Sequence, residues 1–428
     1  MLLWYRKVYI VVVPEYIMET NWKKLTRYKR GELISKTLKI EKINNKWKVP
    51  SQSSKEFYYV HFDGHKPQCN CLDCRIKHGR CKHIIAVELY IRRTIEPDGT
   101  LSQVKKVRIG YAQDWKAYDK SQTNEKLLFF KLLKDLCENI EQPTYKFGRP
   151  NLPFSDMIFA SVMKVYSTFS LRRFISDMKI AKAMNLVDVL CTYPTISNFM
   201  QKKELTKVLK YLIKLSSSPL SSVESSFAAD SSGFATCRFA RYFDYKWGKQ
   251  NKYRMWLKAH IICGVKTNIV TSVQITDGSE NDSPQLTKLV HETAKQFKMG
   301  DVCCDKAYSS RKNLELIKNV GAVPYIPFKK NVTGKAHGSS IWSKMYYYFM
   351  YQNDDFKKHY HKRSNAETCF HMIKTKFKDN LRSKSKRAQI NELLCKILCH
   401  NICVVIQEVN ELGISSKFIS SKFQTESI

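Results

Sequence analysis

Four residues near the C-terminal end constrain this chain more than any other feature: Tyr360, Arg363, Glu367 and Lys374. At 100° per residue, an α-helix would bring all four side chains within about 60° of one another. One carboxylate is then flanked on a single face by two cations and a phenol. Beside them Ala366, Cys369, Phe370, Ile373 and Phe377 form an apolar stripe, which predicts a helix seated on a core. A carboxylate that holds a metal ion, with cations nearby to grip phosphates, is what phosphoryl transfer on nucleic acid requires. The plainer account is a solvated helix face on which Arg363 pairs with Glu367, worth only a few tenths of a kcal/mol.

Charge supports the nucleic-acid account. The 428 residues carry 73 Lys and Arg against 38 Asp and Glu, a formal net charge of +35. That excess predicts a polyanionic partner. A membrane surface is the competing polyanion. However, no run of about twenty apolar residues is present, and the bases are not collected on one amphipathic helix. Fourteen cysteines are spread unevenly without a convincing signal peptide ahead of them, so they are expected to be reduced and intracellular. Leu2–Trp4 and Val8–Val13 are apolar but short, interrupted by Arg6 and Lys7 and ended by Pro14. Met18 begins a more ordinary polar N-terminus, which makes residues 1–17 a candidate mis-assigned start.

The chain reads as four regions and a linker. Residues 1–95 carry strand-like segments around Trp47–Val49 and Phe57–Phe62, then a Cys/His cluster. Residues 96–125 are polar, turn at Pro97-Asp98-Gly99 and read as the linker. In residues 126–225, apolar spacings of three and four predict helices over Lys126–Ile140, Phe154–Phe169, Leu171–Met184 and Leu205–Leu215. Gly148-Arg149-Pro150 punctuates them. Residues 226–412 change character, with strands at Phe227–Asp230, Trp256–Cys263, Ile269–Thr276, Asp301–Asp305 and Val323–Ile326. Asp282-Ser283-Pro284 is expected to cap a helix reaching about Phe297, and Ser310–Val320 to form another. Residues 327–359 fit no simple crossover and read as an insertion. A long apolar helix, Ile390–Leu412, should stop at Gly413, and residues 413–428 form a Ser/Lys-rich tail.

Three acids stand out in that last pattern. Asp230 is expected to end the first strand, in Asp230-x-x-Gly233-Phe234. Asp305 is expected to end the fourth, in Asp305-x-Ala307-Tyr308, and Glu367 lies on the later helix. Strand ends of a parallel pair point to the same edge, so such acids can converge. Each Asp taken alone is an ordinary cap or turn residue. Together with the Tyr360/Arg363/Glu367/Lys374 spacing, they resemble the pattern of DDE-class insertion-sequence transposases of the Y-R-E-K signature group, over residues 226–380. The resemblance implies an α/β RNase H-like catalytic domain, a mixed sheet flanked by helices. It implies that Asp230, Asp305 and Glu367 bind Mg²⁺ or Mn²⁺, and that Tyr360, Arg363 and Lys374 contact DNA near the transposon end. Trp342, in the insertion, would stack on a flipped base, as an inserted tryptophan does in some relatives; a core tryptophan is the alternative. Asp277 and Asp282 read as turn and cap residues. Lys258 and His260 either reach the site or simply face solvent.

The same resemblance implies cut-and-paste transposition: binding of terminal inverted repeats, metal-dependent strand cleavage and strand transfer, and a homodimer on DNA. It places the protein in a prokaryotic cytoplasm, on the nucleoid. Residues 126–225 would then be a helical DNA-binding region, with Lys164, Arg172, Arg173, Lys179 and Lys182 as phosphate contacts. A domesticated, non-catalytic DNA-binding protein and an RNase H-like structure-specific nuclease are the alternatives.

In the N-terminal region, Cys69-x-Cys71 followed by Cys81-x-His83 supplies four ligands suited to tetrahedral Zn²⁺. With the strands before and a helix after, residues 45–92 resemble a SWIM-type zinc finger, so residues 1–95 are expected to form a small α+β zinc module. Cys74 and His78 are surplus and compete as ligands. Reduced cysteines packed in a small core are the alternative.

Overall fold

The computed structural model describes residues 25–94, 114–236 and 256–418, apart from Ser53, Lys55, Asp63, His65, His78 and residues 145–146 and 148–150. The two N-terminal apolar runs, Met18, the Pro97–Gly99 turn, the Gly148–Pro150 stretch, His78 and the end of the tail lie outside the described residues. The chain forms two compact units. One comprises Met1–Lys106 with Pro327–Phe356, the other Val107–Ile326 with Lys357–Ile428.

In the first unit, an antiparallel meander of four strands runs β1 (Glu41–Ile43), β2 (Lys46–Pro50), β3 (Phe57–Phe62) and β4 (Pro67–Cys69). Alternation along β2 and β3 turns Trp47, Val49, Val60 and Phe62 inward, as the period of two requires. The helices Arg27–Thr37 and Lys82–Thr94 pack closely through Gly31. A Cβ there would stand 2.7 Å from Ile85 and 2.9 Å from the Lys82 carbonyl, so only glycine permits the crossing. The insertion belongs to this unit. Its helix Ser340–Tyr351 sets Tyr351 in a stack on Phe62, ring centroids 5.8 Å apart.

The second unit is built on a five-stranded mixed sheet. Its strands are β5 (Ser226–Ala235), β6 (Trp256–Gly264), β7 (Val270–Asp277), β8 (Asp301–Cys304) and β9 (Val323–Tyr325), in the order β7-β6-β5-β8-β9. The first three form an antiparallel meander, whereas β5–β8 and β8–β9 are parallel. Parallel neighbours need long crossovers, and the helices Leu286–Ala294 and Arg311–Asn319 fill them. Helix Lys386–Glu411 is largely buried, ends at Leu412 and is followed by Gly413 at φ +66°, the left-handed stop. By length and composition it could cross a bilayer, but most of its apolar window is buried against protein.

Two expectations about organisation are corrected. The segment read as a linker carries helix Trp115–Thr123, whose N-terminal amides at Lys116 and Ala117 donate to the Asp114 carboxylate. Residues 126–225 do not form a separate domain. Phe129, Leu133, Phe159, Leu209 and Leu212 share one core with Phe234, Ile261, Ile373 and Leu398. The expected helices are present within a few residues, at Glu125–Glu138, Phe154–Tyr166, Leu171–Ala183 and Lys203–Ser217, joined by an unforeseen one at Tyr193–Phe199.

Candidate active site and candidate metal centre

Asp230 does not end its strand; it is the fifth residue of ten in β5. What ends there is its parallel neighbour. The register pairs Ala229 with Cys304, the last residue of β8, so Asp230 and Asp305 are the residues that come next on the two neighbouring segments, close enough for the Asp305 charge to act on Asp230. Each is oriented by one backbone donor. Ser231 N–H donates to Asp230 Oδ1 at 2.8 Å, and Lys306 N–H donates to Asp305 Oδ1 at 2.7 Å. Each carboxylate keeps its second oxygen for another partner.

Glu367 comes from helix Ser364–Phe377, which packs over β5 and β6 through the predicted stripe: Ala366, Cys369, Phe370, Ile373 and Phe377 are all buried. The single continuous helix expected from Tyr360 onward is not formed. Helix Asn353–Tyr360 gives way to a 3₁₀ turn at His361–Arg363 before the next helix begins. That turn is fastened to the sheet. Lys362 Nζ donates to Asp301 Oδ2 at 3.0 Å, Cys303 Sγ to the His359 carbonyl at 3.2 Å, and His359 stacks on Tyr325 at 4.4 Å.

The fastened turn delivers Arg363 between two of the acids. Its guanidinium donates to Glu367 Oε1 at 2.6 Å and lies 3.6 Å from Asp230 Oδ2. Burial is the main cause that raises the Asp230 carboxyl pKa; Glu367 and Asp305 push it the same way, while the Ser231 amide and Arg363 oppose them. All three acids therefore act on one locality. They do not form a closed ligand set: among the described residues, the three acids are not grouped within 4.8 Å of one another. Arg363 fills part of that gap as a stand-in cation. A site of hard oxygen donors that already holds a positive charge suits Mg²⁺ or Mn²⁺.

The other expected DNA contacts are placed unevenly. Tyr360 is buried, and its ring lies 6.0 Å from the Arg363 guanidinium. Lys374 donates to Ser232 Oγ at 2.8 Å, on the same face of β5 as Asp230, and burial lowers its pKa. Trp342 is a core residue of the first unit. It is 3% exposed, its indole N–H donates to the Thr333 carbonyl at 2.8 Å, and its ring meets Phe328 edge-on. A base-stacking ring needs a free face, and this one has none.

Lys258 and His260 alternate onto the opposite face of the sheet from Asp230. Lys258 ion-pairs with Asp282, and His260 is fully buried with Nε2 2.8 Å from Thr276 Oγ1. Asp282 makes no capping bond, contrary to expectation, because this pairing takes its carboxylate. Of the basic residues expected to meet phosphates, Lys164 is buried and Lys182 donates to the Asp188 carbonyl, whereas Arg172, Arg173 and Lys179 are exposed.

The second constellation lies in the first unit. Cys69 ends β4, Cys71 follows it, and Cys81 and His83 open helix Lys82–Thr94. All four are buried, and their donor atoms lie within 4.8 Å of one another. His83 Nδ1 is 3.7 Å from Cys69 Sγ and 3.9 Å from Cys81 Sγ. Tetrahedral zinc, with bonds of about 2.3 Å to sulfur and about 2.0 Å to nitrogen, would separate such atoms by roughly 3.5 Å. Cys74 stands outside the group. Hydrogen bonds from Cys69 and Cys81 pull the Cys71 thiol pKa down, and the Cys81 thiol is pushed up to about 12. Thiols this crowded cannot all ionise without a cation among them.

Comparison with known proteins places a family on this geometry. Residues 221–402 match the family model described as Transposase DDE domain. No curated protein matches the chain. A solved structure described as a cryo-EM structure of piggyBac transposase synaptic complex with hairpin DNA is 13% identical over 69% of this chain and 77% of that one. Its TM-score of 0.34 is too low to bear on the fold. The chain therefore carries a DDE-class transposase domain, the domain of a DNA-cleaving and strand-transferring enzyme.

Proposed function

We propose that this chain cuts and joins DNA at the ends of an insertion sequence, with Asp230, Asp305 and Glu367 as the ligands of catalytic Mg²⁺ or Mn²⁺. The observation that carries the reading is the register of β5 on β8. It puts two acids side by side, while the helix bearing the third packs over the same strand. The sheet order and the mixture of parallel and antiparallel pairs support an RNase H-like fold for the domain. The metal, when bound, activates a water or 3′-hydroxyl and stabilises the leaving 3′-oxygen.

The protein's own groups divide the remaining work. Asp230 and Asp305 each turn one oxygen to a backbone amide, which fixes the other toward the site. Arg363 is placed to take a DNA phosphate through two parallel donors, releasing its hold on Asp230 and Glu367. Lys374 presents a point charge from one side of the same helix. Terminal inverted repeats as the binding site, cut-and-paste movement, assembly as a homodimer on two ends and action on a prokaryotic nucleoid all extend this proposal. The net charge of +35 supports binding to DNA generally.

Cognate end DNA tests the reading. With Mg²⁺ the protein should cleave the 3′ ends and join them to target DNA, and Asp305→Asn should abolish both. Undiminished cleavage by that variant would remove Asp305 from the site. Cleavage by the unaltered protein without joined product would favour a nuclease of the same fold.

A further inference from the structure

The zinc-type cluster and the insertion of the catalytic region, far apart in sequence, meet in one compact unit. We propose that zinc held by Cys69, Cys71, Cys81 and His83 organises the insertion Pro327–Phe356, so that the metal centre serves as the folding platform of a segment borrowed from the transposase domain. The inference rests on the zinc reading of the cluster and goes beyond it.

Two short paths lead from the ligands to the insertion. The first runs along helix Lys82–Thr94, whose N-terminal turn carries His83. Nine residues on, Arg92 Nη2 donates to the Tyr346 hydroxyl at 2.8 Å, and Nε donates to the same oxygen at 3.2 Å. On the same helix the buried Glu88 pairs with Arg80, the residue before Cys81, and its charge acts on Tyr347 and Tyr351. The second path runs through the meander. Cys69 pairs with Val60 across β4 and β3, and Phe62, two residues along β3 on the same face, stacks on Tyr351 and lies 6.2 Å from Tyr347.

The insertion offers three buried aromatic rings to these contacts. Tyr346, Tyr347 and Tyr351 are all at most 7% exposed. The platform itself is small: β1, β4 and helix Leu72–Lys77 contain three, three and six residues. Modules of that size gain much of their folding free energy from metal. When the ligands separate, helix Lys82–Thr94 and β4 lose their common anchor, and with them go the partners of Tyr346 and Tyr351.

Hydrogen exchange on the full-length protein, followed peptide by peptide with and without a zinc chelator, provides the test. Removal of zinc should speed exchange in residues 340–351 at least about tenfold, together with residues 82–94, and leave residues 286–294 and 386–411 unchanged. Arg92→Ala and Phe62→Ala supply a second arm that spares the ligands. Each should retain one zinc per chain by elemental analysis and protect residues 82–94, yet exchange faster over residues 340–351. An insertion that stays protected after the metal is removed, or in both variants, overturns the inference. Protein that neither contains nor binds zinc, with the cluster thiols open to alkylation, overturns the zinc reading itself.

Discussion

The two candidate metal centres of this protein are opposites in construction. The Cys/His group is buried, with donor atoms already within 4.8 Å of one another. The acidic group lies where β8 ends beside the central strand β5, draws its carboxylates from β5, from the residue after β8 and from a helix, and two of the three are bridged by an arginine. The first is the form of a site that holds a fold together. The second keeps room for substrate and exchangeable ligands. On the proposed reading, the chain would assign one metal to architecture and another to chemistry by how far the donors converge before any ion arrives.

The comparison breaks most easily at the zinc group. Chelation of a structural zinc should remove about 10 kcal/mol of folding free energy from the first unit. Circular dichroism and differential scanning calorimetry would register it as loss of one transition, whereas omission of Mg²⁺ should leave both transitions in place. If both units melt alike with and without chelator, the Cys/His group is not architectural. On the catalytic side the large effect is kinetic. Asp230→Asn or Asp305→Asn should lower end cleavage by about a thousandfold or more, the scale for losing one member of a cooperating set, with zinc content unchanged.

Trp342→Ala sharpens the boundary between the two. A buried tryptophan with its N–H bonded should cost the first unit about 3–5 kcal/mol when truncated, visible as a lower denaturation midpoint. A ring used only on DNA would leave that midpoint alone. Arg363→Gln should have a smaller effect of a different kind. Without DNA, Mn²⁺ should bind more tightly, because the competing guanidinium is gone, and the salt slope of DNA binding should fall by about one. Equal Mn²⁺ affinity in variant and parent would show that the arginine does not compete.

The smallest expected change concerns the metal-free second unit. The folded-state pKa of Asp230 is raised above its ordinary 3.8. The native state therefore binds the proton more tightly than the unfolded chain does. The stability this confers is fully present below pH 3.8 and declines as pH rises through the raised value. Asp230→Asn should flatten that decline, giving a melting temperature a few degrees above the parent at pH 7 without divalent metal. Saturating Mg²⁺ should erase the difference.

Much of this was legible in the sequence, for reasons that differ by element. The strands of the sheet and the buried stripe of the motif helix follow from local periodicity, and Gly413 marks the end of the long helix through a left-handed conformation that favours glycine. The break at His361–Arg363 was not legible, since no proline or glycine announces it. It arises from ties of Lys362 and His359 to β8 and β9, which are tertiary. Helix Trp115–Thr123 hides in polar composition, and its signal is the Asp114 cap alone. Trp342 and Lys164 have the residue types of DNA contacts but the surroundings of core. The union of the insertion with the Cys/His module depends on contacts across more than 250 positions, such as Arg92 with Tyr346, and local spacing carries no record of those.

The register of β5 on β8 sets the distance between two acids by backbone hydrogen bonds, which tolerate little adjustment. The third acid rides on a helix whose height above the sheet is set by Ala366, Cys369 and Phe370. Adaptation of this enzyme to a larger or smaller ion should accordingly be written in the packing beneath that helix, with the aspartates left as they are.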